Sequence, residues 1–258
     1  MRDVIQIDIG RFLLIYLLLL IVLAVMKKCR MQQSRLLLLG SVQMTVQLVI
    51  AGFLLTYIFE NPKPIYTVSY VALMAAFAMH RVLSKNRGLN IKFKLYIASA
   101  LSFSGIGVIV FFIIFVVNEN LFNPQYAIPL SGMIFGNVMT GLNLGLKTFR
   151  ESIDAQRNKM EALLNFGAKP NDILRPLVYQ SLETALLPTL NSMVGMGIVS
   201  LPGMMTGQIL SGTLPTTAIL YQIAIMIAIT TVVCLSVFGS LYMGHKTLYN
   251  GNAQFTFN

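Results

Sequence analysis

Apolar and polar positions along this chain fall into long blocks, without the short alternation of a half-buried sheet. Arg, Lys, Asp and Glu are absent from 12–26, 36–59, 95–118 and 121–146, and then from the whole of 184–244. A bilayer core about 30 Å thick takes about 20 apolar residues per helix. Several blocks reach that length, and the last is long enough to cross twice. Seven spans are predicted, over 10–26, 36–59, 65–82, 95–117, 126–146, 178–199 and 216–244. The expected fold class is all-α, a polytopic transmembrane helical bundle.

Two segments break the pattern. Residues 147–176 form the one sizeable polar stretch, in which Phe149, Ile153, Met160, Leu163 and Leu164 recur near helical spacing. Arg150 with Asp154, and Arg157 with Glu161, stand four apart and are placed to pair on the wet face of such a helix. Gly167 offers a C-cap and Pro170 forbids simple continuation. The plain alternative is a solvated connecting loop. Residues 200–215 are apolar yet glycine-rich, with Pro202 and Pro215 near the ends. Irregular backbone at membrane depth survives only when buried in protein or lining a cavity, so this is either a short or re-entrant element beside a pathway or an external loop.

Charge sets the orientation. The chain of 258 residues is 56% hydrophobic and 11% charged, with a net charge of +10 and a mean hydropathy of +0.73. The basic residues do not form one patch, which argues against nucleic acid as a partner. They sit in short loops, where the positive-inside rule puts them. With the first loop cytoplasmic, Lys27, Lys28, Arg30, Arg35, Arg81, Lys85, Arg87, Lys92, Lys94, the six basic residues from Lys147 to Arg175, and Lys246 are inside. Only Arg2, Arg11 and Lys63 are outside, so the N-terminus is expected outside and the C-terminus in the cytoplasm. Cys29 and Cys234 make no disulfide framework, and no small-residue cleavage site follows the first apolar run.

No G-x-x-x-x-G-K-[ST] sequence occurs, so the chain has no phosphate loop of that kind. His80 and His245 both stand at span ends, without metal-ligand spacing, and no span holds a carboxylate pair. Enzymatic catalysis is unsupported. Ionisable residues inside a membrane are rare and functional. The nearest is Glu183, which also reads as an interfacial carboxylate at a helix beginning. Energy for transport is therefore expected from another chain.

Glu161-Ala162-Leu163, three further residues and Gly167 resemble the E-A-A-x-x-x-G signature of ABC importer permeases, with Leu163 in place of the third alanine. The resemblance implies a short cytoplasmic coupling helix that docks on an ATPase subunit. A wider match runs from Gly40 to Gln222. It takes in Gln47-Leu48-Val49-Ile50-Ala51-Gly52, Pro129-Leu130-Ser131-Gly132-Met133-Ile134-Phe135-Gly136-Asn137, Leu187-Pro188-Thr189 and Ser200-Leu201-Pro202-Gly203-Met204-Met205-Thr206-Gly207. These blocks look like those of the FetB-type permeases, a family of ABC transporter permeases that includes bacterial iron exporters and plant aluminium-tolerance permeases. Asn191 stands where an aspartate is expected in some relatives.

The resemblance implies that residues 1–258 form a single transmembrane permease domain with a cytoplasmic coupling segment at 147–176. It further implies an ABC exporter subunit, with a metal ion such as iron as substrate, in the cell (plasma or inner) membrane. Two copies of the chain would pair and two ATPase subunits would supply ATP and Mg, no cofactor being held by this chain. The expected coupling residues are Glu161, Ala162, Gly167, Ala168 and Pro170. Asn137, Asn191, Pro202, Gly203, Met204 and Met205 combine polar groups with irregular backbone in charge-free sequence, and are expected to line the path. Gly132 with Gly136, Gly141 with Gly145, and Gly203 with Gly207 stand four apart, a spacing that lets helix backbones approach closely. Thioethers of the fifteen methionines are soft ligands, though flexible packing explains them equally. The rival reading is a secondary carrier or channel working alone.

Overall fold

The computed structural model describes residues 8–249 apart from 32 and 87; Arg2 and Arg87, used in the orientation count, lie outside the described residues. The helices are α1 (Ile9–Leu13), α2 (Ile15–Lys28), α3 (Ser34–Glu60), α4 (Pro64–Lys85), α5 (Ile91–Phe111), α6 (Pro124–Ala155), α7 (Arg157–Asn165), α8 (Pro170–Gly195), α9 (Gly203–Leu210) and α10 (Pro215–Gly244). A π-helical turn, Phe112–Val117, prolongs α5, and a 3-10 turn, His245–Thr247, prolongs α10. Met196 and Ser200 form an isolated bridge.

Local chemistry explains where these helices start. Proline is the first residue of α4, α6, α8 and α10, where its missing N–H leaves no helical bond unmade. Asn90 and Asn123 cap α5 and α6, accepting from the backbone N–H of Phe93 at 2.7 Å and of Gln125 at 3.1 Å.

Among the described residues six helical stretches are long and apolar enough to cross a membrane: Gly10–Lys28, Ser34–Glu60, Pro64–Lys85, Ile91–Val117, Pro124–Ala155 and Pro215–Thr247. Each overlaps a predicted span. The predicted sixth span, 178–199, falls on α8, which has 26 residues but ends at Gly195. Gln180, Glu183, Pro188 and Asn191 dilute its apolar content. The fifth span also runs further than expected, because α6 continues unbroken through the first nine residues of the polar segment 147–176.

The residues group into two compact units, one up to Asn61 together with Leu210–Gly212, the other Pro62–Ile209 and the residues from Thr213 onward. In the first, hardly any residue of the α1–α2 span or of α3 is buried. Leu17, Leu20, Ile21, Leu39, Leu48 and Phe53 stand exposed, a surface suited to hydrocarbon. An apolar crevice between α2 and α3 is crossed by one polar contact, Tyr16 to Thr45 at 2.6 Å. Thr45 donates its own hydrogen to Ser41 O at 2.9 Å, so Tyr16 is the donor of that pair.

In the second unit, α10 lies along α5, α6 and α8, and α6 also packs on α4 and α8. Leu101, Val138, Leu142, Val233 and Val237 are wholly buried at the centre. Close approach here depends on glycine. A β-carbon on Gly141 would stand 2.6 Å from Val233 Cγ1, and one on Gly145 would stand 2.9 Å from Val237 Cγ1 and 3.5 Å from Ser181 O. Gly136, Gly203 and Gly207 have nothing within 4 Å, and Gly132 only the end of Met74 at 3.5 Å. Gly141 and Gly145 therefore pack helices closely within the chain, Gly132 makes ordinary contact with α4, and Gly136, Gly203 and Gly207 face open space.

Candidate coupling site and translocation path

The polar segment 147–176 is helical, as its apolar spacing predicts, but in three pieces. It holds the end of α6, then α7 after a break at Gln156, then the first turns of α8. Phe149, Ile153 and Met160 are buried and Leu164 packs half-buried on the core, while Leu163 stays exposed. That burial plants one face of α7 on the bundle. The opposite face carries Glu161 and Ala162, both exposed. Arg157 Nε meets Glu161 Oε1 at 3.2 Å, and Lys147 pairs with Glu151 at 3.7 Å. Both pairs are exposed and contribute little to stability. The expected Arg150–Asp154 pair is not among the ion pairs of the described residues. The Arg150 guanidinium lies beside Gly88, 3.2 Å from where a β-carbon would stand.

α7 closes in a Schellman turn. The N–H of Gly167 donates to Leu164 O at 2.9 Å and that of Ala168 to Leu163 O at 3.0 Å. Gly167 has φ +85°, a left-handed backbone that residues with a β-carbon adopt at a cost. Space around it is open, so the requirement is conformational, with no steric part. Ala168 packs half-buried against the core, and Pro170 opens α8 with Lys169 as N-cap. At the tip stands Phe166, 89% exposed. Sequence reading passed over Phe166, although an aromatic residue directly before a turn glycine is a visible signal.

A dense knot lies behind this turn. His245 is wholly buried, with Nδ1 3.0 Å from Leu241 O and Nε2 2.7 Å from Oδ1 of Asn171 near the start of α8. Asn90 donates to Thr247 O at 2.9 Å. Phe93 fills the space a β-carbon would need at Gly244, 2.6 Å away. Nothing in the spacing of His245 and Asn171, 74 positions apart, marks them as partners.

The expected path residues are less gathered. Asn137 is exposed on α6 and donates to its own helix, Nδ2 to Met133 O at 2.8 Å. Asn191 is exposed on α8. The contacts of Gly141 with Ala185 and of Gly145 with Ser181 fix an antiparallel register that brings Asn137 and Asn191 to one level of the bundle. Pro202 is half-buried, Gly203 exposed, Met204 half-buried and Met205 buried at the start of α9. Among the described residues no hydrogen bond joins Asn137, Asn191 and this turn. With eight residues, α9 is about 12 Å long at 1.5 Å per residue, too short to cross. Gly197 at φ +85° and Gly212 at φ +97° turn the chain on either side of it.

Other polar and sulfur-bearing side chains take structural places. Asn143 accepts from Asn86 at 3.4 Å, Thr230 donates to the sulfur of Met193 at 3.3 Å, and Met133, Met139 and Met204 pack against the core. Glu183 lies on α8 near Ser181, whose carbonyl meets Gly145 two residues before Lys147. It therefore sits near a charged end of the bundle, as an interfacial carboxylate would. Among the described residues no group of three or more His, Cys, Asp or Glu side chains is arranged to hold a metal ion.

The family described as "Uncharacterised protein family (UPF0014)" matches residues 9–249. A Bacillus subtilis relative named as UPF0014 membrane protein YjkA is 29% identical over 81% of this chain and 86% of its own length. An Escherichia coli relative, named as probable iron export permease protein FetB, is 29% identical over 81% of this chain and 80% of its own. Protein ALUMINUM SENSITIVE 3 of Arabidopsis thaliana is 32% identical over 70% of this chain and 65% of its own. No solved structure matches the chain.

Proposed function

The chain belongs to the UPF0014 family of multi-pass membrane permeases, and from that premise we propose that it is the membrane-spanning subunit of an ABC transporter. It exports a metal ion such as iron, and ATP with Mg is bound and hydrolysed on two separate ATPase subunits. The observation that carries this reading is α7, planted on the core by Met160, closed by the left-handed Gly167 and tipped by exposed Phe166. An apolar knob at the end of a polar, exposed helix suits a groove on a partner. Iron as substrate rests on the printed name of the Escherichia coli relative.

Two copies of the chain pair in the cell membrane. Two ATPase subunits need two docking elements, and closed twofold pairs are the common way to supply them. Counting α8, each copy crosses seven times, with its N-terminus outside and its C-terminus in the cytoplasm. Closure of the two ATPase subunits on ATP displaces α7, and the helices that pack on α8 reopen the path on the other face. Asn137, Asn191 and the Pro202–Met205 turn line that path. The decisive experiment co-expresses the chain with its ATPase, purifies the complex and measures ATP hydrolysis against added metal ions. Recovery of the chain free of any ATPase, with transport intact, favours a carrier or channel working alone.

A further inference from the structure

His245 is a buried histidine that neither the coupling turn nor the path uses. Both of its ring nitrogens have oxygen partners, Leu241 O at 3.0 Å and Asn171 Oδ1 at 2.7 Å. A carbonyl oxygen only accepts, so Nδ1 carries a hydrogen. In the neutral ring Nε2 then accepts from the Asn171 amide, turned to present its nitrogen; in the charged ring it donates to Oδ1. Either way the ring is satisfied, and its complete burial leaves no water to replace a lost partner.

The placement of this bond gives it a consequence. Asn171 is the second residue of α8 and lies four residues past Gly167. His245 directly follows α10, whose end is held on other sides by Phe93 against Gly244 and by Asn90 on Thr247. A shift of the coupling turn drags the first turn of α8 with it. That shift must either carry the end of α10 along or strand a ring nitrogen in a dry site. Stranding it biases the equilibrium about five- to hundredfold against the broken state. We infer that the Asn171–His245 hydrogen bond is the link through which displacement of the coupling turn is delivered to α10, with both residues acting as positioning residues. The inference rests on the coupling reading proposed above.

The test uses the full chain with its ATPase subunits in nanodiscs, after Cys29→Ser and Cys234→Ser. Spin labels are placed on single cysteines at Asn158 on α7 or at Leu220 near the far end of α10. ATP with vanadate should change both spectra in the otherwise native chain. His245→Phe keeps ring bulk and removes both nitrogens; Asn171→Leu does the same for the amide at a half-buried site and decides the matter if the first variant does not fold. In either, the Asn158 response should persist while the Leu220 response falls at least fivefold. The exchange of Asn171→His with His245→Asn should restore at least half of it. A Leu220 response in the single variants equal to that of the parent overturns the link, and so does a loss that the exchange leaves unrepaired. Absence of any nucleotide response at Asn158 in the parent overturns the coupling reading itself, and the link falls with it.

Discussion

Gly141→Ala adds one methyl group where α6, α8 and α10 meet, and its cost can be worked from the contacts. The new carbon would lie 2.6 Å from Val233 Cγ1, far inside van der Waals contact. Val233 is wholly buried and β-branched, so it has one strongly preferred rotamer and cannot swing aside. The helices must separate instead, at a cost of about 1–3 kcal/mol for overpacking. Alanine returns about 0.5–1 kcal/mol through its better helix propensity, leaving a net loss of up to about 2.5 kcal/mol. Gly136→Ala, with nothing within 4 Å, gains the same propensity without the clash. Comparing the two variants cancels the propensity and isolates the packing term.

The assay is unfolding of the purified full chain in mild detergent titrated with a denaturing one. Gly141→Ala should shift the midpoint toward lower denaturant and Gly136→Ala should leave it in place or raise it. Adding Val233→Ala removes the offending methyl, so the double variant should be more stable than the sum of the singles by about 0.5–3 kcal/mol. Equal behaviour of the two glycine variants, or strict additivity with Val233→Ala, would refute the register that joins α6 to α10.

Four further outcomes are expected. Gly167→Val forces a β-branched residue to φ +85° at a local cost of about 1–3 kcal/mol; membrane insertion should survive while ATPase association drops, and Phe166→Ala should weaken association without loss of stability. Single cysteines at Lys63 and Asn120 should react with an impermeant reagent added outside intact cells, whereas those at Lys85 and Asn158 should not; labelling at Lys85 reverses the orientation. Asn137→Leu and Asn191→Leu should leave folded complex and basal ATP hydrolysis intact but abolish stimulation by substrate, and a fall in transport that merely tracks protein level removes both from the path. Met204→Leu with Met205→Leu preserves apolar volume and deletes both sulfurs, so unchanged metal transport is expected and its loss would point to thioether ligation.

Much of the helix pattern was legible because charge-free length is a local property. The starts of α4, α6, α8 and α10 are written in their prolines, and the turn at Gly167 in its glycine and the proline three residues on. What escaped reading depends on distance between elements. The three glycine pairs have the same spacing in sequence, yet only Gly141 and Gly145 have no room for a β-carbon, because there α6 crosses valines of α10. Arg150 and Asp154 stand at pairing distance along a helix, but Gly88 gives the guanidinium another place to lie. The bond between Asn171 and His245 joins residues whose own neighbourhoods say nothing of each other. The predicted span 178–199 differs for another reason: α8, with 26 residues, is long enough to cross, but Gln180, Glu183, Pro188 and Asn191 lower its apolar content.

The way the second unit is held bears on how a charge-free bundle can be driven. Asn171 with His245, Asn90 with Thr247 and Asn86 with Asn143 stand where it carries the basic loops, beside Phe93 wedged on Gly244, while Ser104 meets Ser236 between α5 and α10 further along and Thr67 donates to Phe122 O toward the opposite end. The opposite end carries the π-helical turn, left-handed Asn118, and Gly197 at positive φ. Hydrogen bonds fix angle and distance, whereas apolar contacts between membrane helices allow sliding, because lipid covers an exposed leucine as well as protein does. A rigid helix that tilts about a hold at one end turns a small shift there into a larger one at its far end. With 30 residues, α10 is about 45 Å long at 1.5 Å per residue. A tilt of a few degrees at His245 therefore moves Pro215 by a few ångströms. Mechanical delivery of that kind asks for no ionisable group inside the membrane, in keeping with the charge-free run from 184 to 244.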